Sequence, residues 1–97
     1  MHIVMTADGF ATPAADRGAG GIIRIKSFIA HGKGVAAGDV AVLREGSSTG
    51  PIKCEARFSS PNGEAGQVYA NGGIPMKTPI YYSEQISSGS VRSEIDT

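Results

Sequence analysis

The chain has 97 residues, 40% of them apolar, with fourteen glycines, no tryptophan and one cysteine. That length accommodates one domain with a thin core, and the lean apolar fraction suits a protein stabilised by assembly on a partner's surface. Nine basic residues balance nine acidic ones, which argues against general attraction to nucleic acid or to a membrane surface.

The balance is uneven along the chain. Residues 17–57 hold seven basic and three acidic residues, and both flanks are net acidic. Charges interspersed on solvated faces account for this most simply, with head-to-tail contacts between neighbours as the alternative. A lone Cys54 excludes an intramolecular disulfide and a cysteine metal cluster. The start, Met1-His2-Ile3-Val4-Met5-Thr6, lacks the basic residues and the apolar length of an export leader. No apolar run reaches the length of a membrane span. The expectation is a protein without leader or span.

Residues 1–20 divide into a β-prone start, Ile3-Val4-Met5, and a stretch rich in glycine and alanine. Asp8-Gly9, Thr12-Pro13 and Arg17-Gly18-Ala19-Gly20-Gly21 all favour loop or extended backbone. The stretch reads as an extended N-terminal arm whose apolar anchors are Ile3, Met5 and Phe10. Such an arm either lies on a neighbouring subunit or packs on its own domain.

Residues 22–31 form the first strand, with Ile23, Ile25 and Ile29 on one face and Arg24 and Lys26 on the other. Glycines punctuate the turn that follows. Residues 39–45 read as a second strand with Val40 and Val42 inward, and residues 46–51, Gly-Ser-Ser-Thr-Gly-Pro, are a loop. The third strand alternates most cleanly: Ile52, Cys54, Ala56 and Phe58 face inward and Lys53, Glu55, Arg57 and Ser59 outward. Ser60-Pro61-Asn62-Gly63 turns the chain, and Gln67-Val68-Tyr69-Ala70 is a short strand.

Asn71-Gly72 then supplies a turn in which both residues tolerate positive φ. Ile74/Met76 and Ile80/Tyr82 follow as two short alternating runs, separated by Thr78-Pro79. Pro75 and Pro79 each mark a strand edge, a start or a break, and together they exclude a helix. The last strand, residues 91–96, follows Ser87-Ser88-Gly89. About seven short antiparallel strands, with turn signals every 8–12 residues, predict an all-β fold. The expected architecture is a single small β-sandwich or jelly-roll-like domain over residues 21–97, preceded by the arm over residues 1–20. Its core draws on Ile23, Ile25, Val40, Val42, Ile52, Cys54, Phe58, Val68, Ile80, Val91 and Ile95.

Searches for reactive chemistry return little. Gly32-Lys33 lacks the leading glycine and the hydroxyl residue of a phosphate loop. Gly18-Ala19-Gly20-Gly21 precedes a strand, whereas a dinucleotide fingerprint opens a helix. The two histidines, His2 and His31, are not at metal-ligand spacing. A Cys54–His31 nucleophilic pair is the sharpest enzymatic idea, but a cysteine central to an apolar face is ordinarily a small hydrophobe. Arg24, Lys26, Lys53 and Arg57 are read as parts of solvated sheet faces rather than a basic stripe. Tyr81 and Tyr82 are adjacent on a strand and must point to opposite faces. One of them, or Tyr69, is therefore available for a contact or a ligand platform.

At Asp39-Val40-Ala41-Val42-Leu43-Arg44-Glu45 a strand runs into the Gly46-Ser47-Ser48-Thr49-Gly50 loop. About two dozen residues later comes Gly73-Ile74-Pro75-Met76-Lys77-Thr78-Pro79-Ile80-Tyr81-Tyr82, and then a closing strand after Ser87-Ser88-Gly89-Ser90-Val91. This order resembles the small virion proteins of tailed bacteriophages over residues 21–96, with Thr78-Pro79 where those proteins usually carry glycine. The resemblance implies a non-enzymatic, cofactor-free virion component, foremost a capsid decoration or cement protein that stabilises the shell. Its expected partners are the major capsid protein or other virion subunits, with self-association into a homo-oligomer and no binding of nucleic acid or membrane. The alternatives are a minor tail or connector protein, or a carbohydrate- or receptor-binding β-domain of a fibre. Candidate interface residues are Ile3, Met5, Phe10, Tyr69 and Tyr81.

Overall fold

The computed structural model describes residues 2–12 and 21–97. These residues are all-β, with ten strands. In chain order they are β1 (His2–Met5), β2 (Gly9–Thr12), β3 (Ile22–Ile25), β4 (Ser27–Lys33) and β5 (Val40–Glu45). Then come β6 (Ile52–Arg57), β7 (Asn62–Val68), β8 (Ile74–Lys77), β9 (Ile80–Gln85) and β10 (Ser90–Asp96). Sheet A has the order β1-β10-β4-β7, sheet B the order β2-β9-β5-β6, and β3 pairs with β8 in a two-stranded ribbon. Every pairing is antiparallel.

The core lies between sheets A and B. Phe28, Ala30, Val91 and Ile95 come from sheet A, and Ala41, Leu43, Cys54, Ala56, Ile80 and Tyr82 from sheet B. Ile23, Ile25 and Met76 of the ribbon complete the same cluster. The Phe28 and Tyr82 rings meet across the layers edge to face, with centroids 6.2 Å apart. That arrangement suits the quadrupoles of two aromatic rings better than stacking face to face.

The expected sandwich is therefore present, with ten strands in place of about seven. Of the two courses expected for the arm over residues 1–20, residues 2–12 pack on their own domain: β1 adds to β10 at the edge of sheet A, and β2 adds to β9 at the edge of sheet B. Edge strands of four residues carry too little pattern to stand out in sequence, because one neighbour and one face constrain each of them. Residues 13–20 of that arm lie outside the described residues.

The expected strand over residues 22–31 divides at Lys26. Ile23 and Ile25 are buried in the ribbon, while Phe28 and Ala30 are buried in sheet A and Ile29 is half-exposed. The inward phase thus moves from odd to even numbers across Lys26-Ser27, as the chain passes from one sheet to another. The Lys26 backbone stays paired through this step, its N–H donating to Asp96 O at 2.7 Å and its carbonyl accepting from Tyr69 N at 2.8 Å.

Of the expected core, Ile52 and Val68 are corrections, with exposures of 43% and 77%. A bulge between β5 and β6 pairs Arg44 with Ile52 directly after Leu43 with Cys54. Lys53 is the extra residue, and it turns Ile52 to the outer face. Val68 ends β7, where it stands opposite Ser27 on the outer face of sheet A. Val40 and Val42 are buried, yet the main core takes Ala41 and Leu43 from the other face of β5.

The Asn71-Gly72 turn forms as expected, with φ of 57° and 82°. Pro75 sits exposed in the two-stranded ribbon, and the cis Thr78-Pro79 bond separates β8 from β9. Tyr82 is fully buried and Tyr81 faces the opposite side of sheet B, as the pleat requires.

Candidate functional site on the outer face of sheet B

Four residues line up across the outer face of sheet B, one from each strand. Register places Phe10 opposite Tyr81, Tyr81 opposite Arg44, and Arg44 opposite Ile52. Cross-strand neighbours on one face lie within side-chain reach of one another. The Phe10 and Tyr81 rings are edge to face, with centroids 5.0 Å apart and planes at 84°. Phe10 is 51% exposed, and Tyr81 and Arg44 are half-buried. The Arg44 guanidinium donates to Gly50 O at 2.9 Å, so the 46–50 loop holds the cation in place. Along β6 the same face carries Glu55 and Arg57, paired at 3.1 Å, and Arg57 also donates to Gly38 O.

At the end of this face the ribbon leaves a groove of about 300 Å³, lined by Ile22, Glu45, Lys53, Pro75, Met76 and Lys77. Met76 is buried and Ile22 is 63% exposed. Glu45 accepts the Lys77 backbone N–H at 2.8 Å. The face as a whole presents aromatic and aliphatic surface bordered by arginine and lysine.

Of the five residues expected at an interface, Phe10 and Tyr81 are thus brought together. Ile3 and Met5 are half-buried on β1 and pack against the protein's own core. Tyr69 is likewise half-buried against the core, with its hydroxyl shielded from solvent beside the Cys54 thiol. Burial, and then the neighbouring Cys54 thiol, push the Tyr69 phenol upward. Arg44 and Ile52 were absent from the expected set. The bulge that brings Ile52 to this face has a faint sequence signal in the glycine-rich loop beside it.

The Cys54–His31 pair is not assembled. Cys54 is 2% exposed in the core, its thiol directed at Met76 Sδ at 3.9 Å, and burial raises its pKa. His31 lies on the outer face of sheet A, where Nε2 is 2.6 Å from Glu94 Oε2 and Nδ1 is 3.1 Å from Glu64 Oε2. His2 is on the same face, with Nδ1 2.7 Å from Asp96 Oδ1 and Nε2 3.2 Å from Glu94 Oε1. Among the described residues no group of three or more His, Cys, Asp or Glu is arranged to hold a metal ion. Comparison with protein-family models, with curated proteins and with solved structures finds no match for this chain.

Proposed function

We propose that the protein is a non-enzymatic structural component of a bacteriophage virion, a capsid decoration or cement protein that stabilises the shell by binding the major capsid protein. The observation that carries this reading is the Phe10–Tyr81–Arg44–Ile52 row on a rigid sheet. Aromatic residues and arginine are enriched where proteins meet, and a few such anchors supply most of the binding energy. Cementing requires no reactive group; it requires a small rigid domain presenting a contact face in many copies. Each copy contributes a modest area, and multiple attachment makes the sum strong.

Cosedimentation of the purified protein with stripped heads of the phage that encodes it tests the reading. Saturable binding to heads supports it. Binding to tails alone moves the protein to a connector or minor tail role. A fibre domain that binds carbohydrate or a receptor is the second reading, favoured by the exposed Phe10–Tyr81 pair beside Arg44. It predicts glycan-dependent binding and no attachment to heads.

A further inference from the structure

We propose that His2 forms a pH-governed clasp on the outer face of sheet A, holding the N-terminal strand β1 in place when its ring is protonated and loosening it when it is not. The clasp is independent of the virion reading and rests on ion-pair and hydrogen-bond geometry. Each histidine presents both ring nitrogens to carboxylate oxygens: His2 to Asp96 and Glu94, His31 to Glu64 and Glu94. A neutral imidazole has one N–H and one lone pair, whereas the imidazolium has two N–H donors. A neutral ring in this geometry would point a lone pair at one of its two carboxylates. Only the protonated ring is attracted to both of its carboxylates.

The cluster crosses the whole sheet. His2 comes from β1, Arg92, Glu94 and Asp96 from β10, His31 from β4 and Glu64 from β7. Glu94 is the shared member, giving Oε1 to His2 and Oε2 to His31, with Arg92 Nη1 3.3 Å from Oε2. Ser27 Oγ donates to Asp96 Oδ2 at 3.2 Å. Lys33, at the far end of β4, stands opposite Asn62 and Ser90 and meets no carboxylate there. A protonated His2 ring adds a positive charge against Glu94 and Asp96, beside Arg92 and the chain's amino terminus, which also acts on Asp96. With that ring neutral, the carboxylates of Glu94, Asp96 and Glu64 lose one of their counter-charges, and like charges on adjacent strands repel.

The titration of the groups agrees with this direction. His2 is raised above its ordinary value, chiefly by its bond to Asp96. Glu94 is lowered, first by His31, and Asp96 is lowered, first by His2. A raised histidine contributes stability that is present below its ordinary value of 6.5 and is lost as pH rises through the folded value. The lowered carboxylates contribute stability that is lost as pH falls through their folded values. The clasp is therefore tightest in mild acid, and its first opening on the alkaline side is the histidine step. Because these side chains are partly exposed, the readout is local release of a four-residue edge strand rather than global unfolding.

Amide hydrogen exchange of the full chain, corrected for intrinsic rate, tests this between about pH 5.5 and about pH 8.5, the range over which histidine titrates. The proposal expects protection of β1 amides to fall several-fold across the range while core strand β5 stays protected. It expects the fall to vanish in His2→Gln, which keeps an N–H donor without a titrating ring, with circular dichroism verifying that the variant is folded. His31→Gln, made in parallel, should leave the fall in place, because His31 touches no residue of β1. A flat wild-type profile overturns the clasp. So does a fall that persists unchanged in His2→Gln, since another group would then be responsible.

Discussion

The hydroxyl of Tyr82 in sheet B lies 2.7 Å from Ser93 Oγ in sheet A, so a polar contact in the middle of the sandwich joins its two layers. Tyr82 also donates to Glu84 Oε2 at 2.8 Å. Its single proton is committed to that carboxylate, so Ser93 donates to the Tyr82 oxygen. The order Ser93 to Tyr82 to Glu84 satisfies a serine and a tyrosine that are both fully buried. Tyr82→Phe removes the middle member and leaves Ser93 without its partner. The expected loss is about 1–3 kcal/mol, measured by urea unfolding. Replacing both together, Tyr82→Phe with Ser93→Ala, should cost less than the sum of the two single changes.

Phe58 follows β6 directly and is 2% exposed. Its ring lies against Gly32 of β4, where an added Cβ would come within 2.8 Å of Phe58 Cε1. The glycine makes room for the ring, and the ring seals that end of the core. Phe58→Ala should cost about 3–5 kcal/mol, a large part of the stability of a domain this size. Thermal unfolding followed by circular dichroism measures it.

Gly66 holds β7 against β4 with a φ of 112°, and a Cβ there would fall 1.9 Å from Phe28 O. Both the conformation and the space exclude a side chain. Gly66→Ala should destabilise by more than about 1 kcal/mol and should selectively lower amide protection along β7. Gly72→Ala is the comparison: Gly72 also has positive φ, but an added Cβ meets nothing within 4 Å. Its cost should be smaller.

Asp39 ties two turns together. Its Oδ2 accepts from Ala36 N at 2.9 Å and Ser87 N at 3.2 Å, and Ser87 Oγ donates to Oδ1 at 3.3 Å. These donors, Ala36 first, lower its pKa against the opposing effect of burial. A depressed carboxylate contributes stability that is present above its ordinary value of 3.8 and is lost as pH falls through the folded value. Asp39→Asn should therefore lower Tm at neutral pH and flatten the acid limb of the stability profile. An unchanged acid limb would assign that limb to other carboxylates.

The all-β fold was legible because the strands with one wet face alternate. Cys54, Ala56 and Phe58 are buried as their phase predicts, and so are Val91 and Ile95. The phase failed on β5, whose two faces are both buried, and at two departures from a plain ladder: at Lys53, whose bulge exposes Ile52, and at Lys26, where the chain changes sheets. Neither event leaves a proline or glycine at the position itself. The short edge strands β1 and β2 were hidden for a different reason, since their pairing is specified mainly by β10 and β9. In the candidate site, Phe10 and Tyr81 were legible as apolar residues without an obvious core role. Their juxtaposition was not, because it depends on strands 70 residues apart in sequence lying side by side. The two histidines had no local signal either: their carboxylate partners on β10 follow β4 by about 60 residues.

Attachment to the shell through the outer face of sheet B is the central claim, and quantitative cosedimentation with stripped heads tests it most directly. Wild-type protein is compared with Phe10→Ser and Tyr81→Ser, each verified as folded by circular dichroism. Removing an aromatic anchor at the centre of a protein contact typically costs about 2 kcal/mol or more. The account predicts saturable binding of the wild type and loss of most of that binding in either variant. Folded variants that bind heads as well as the wild type, or a wild type indifferent to heads, would contradict it.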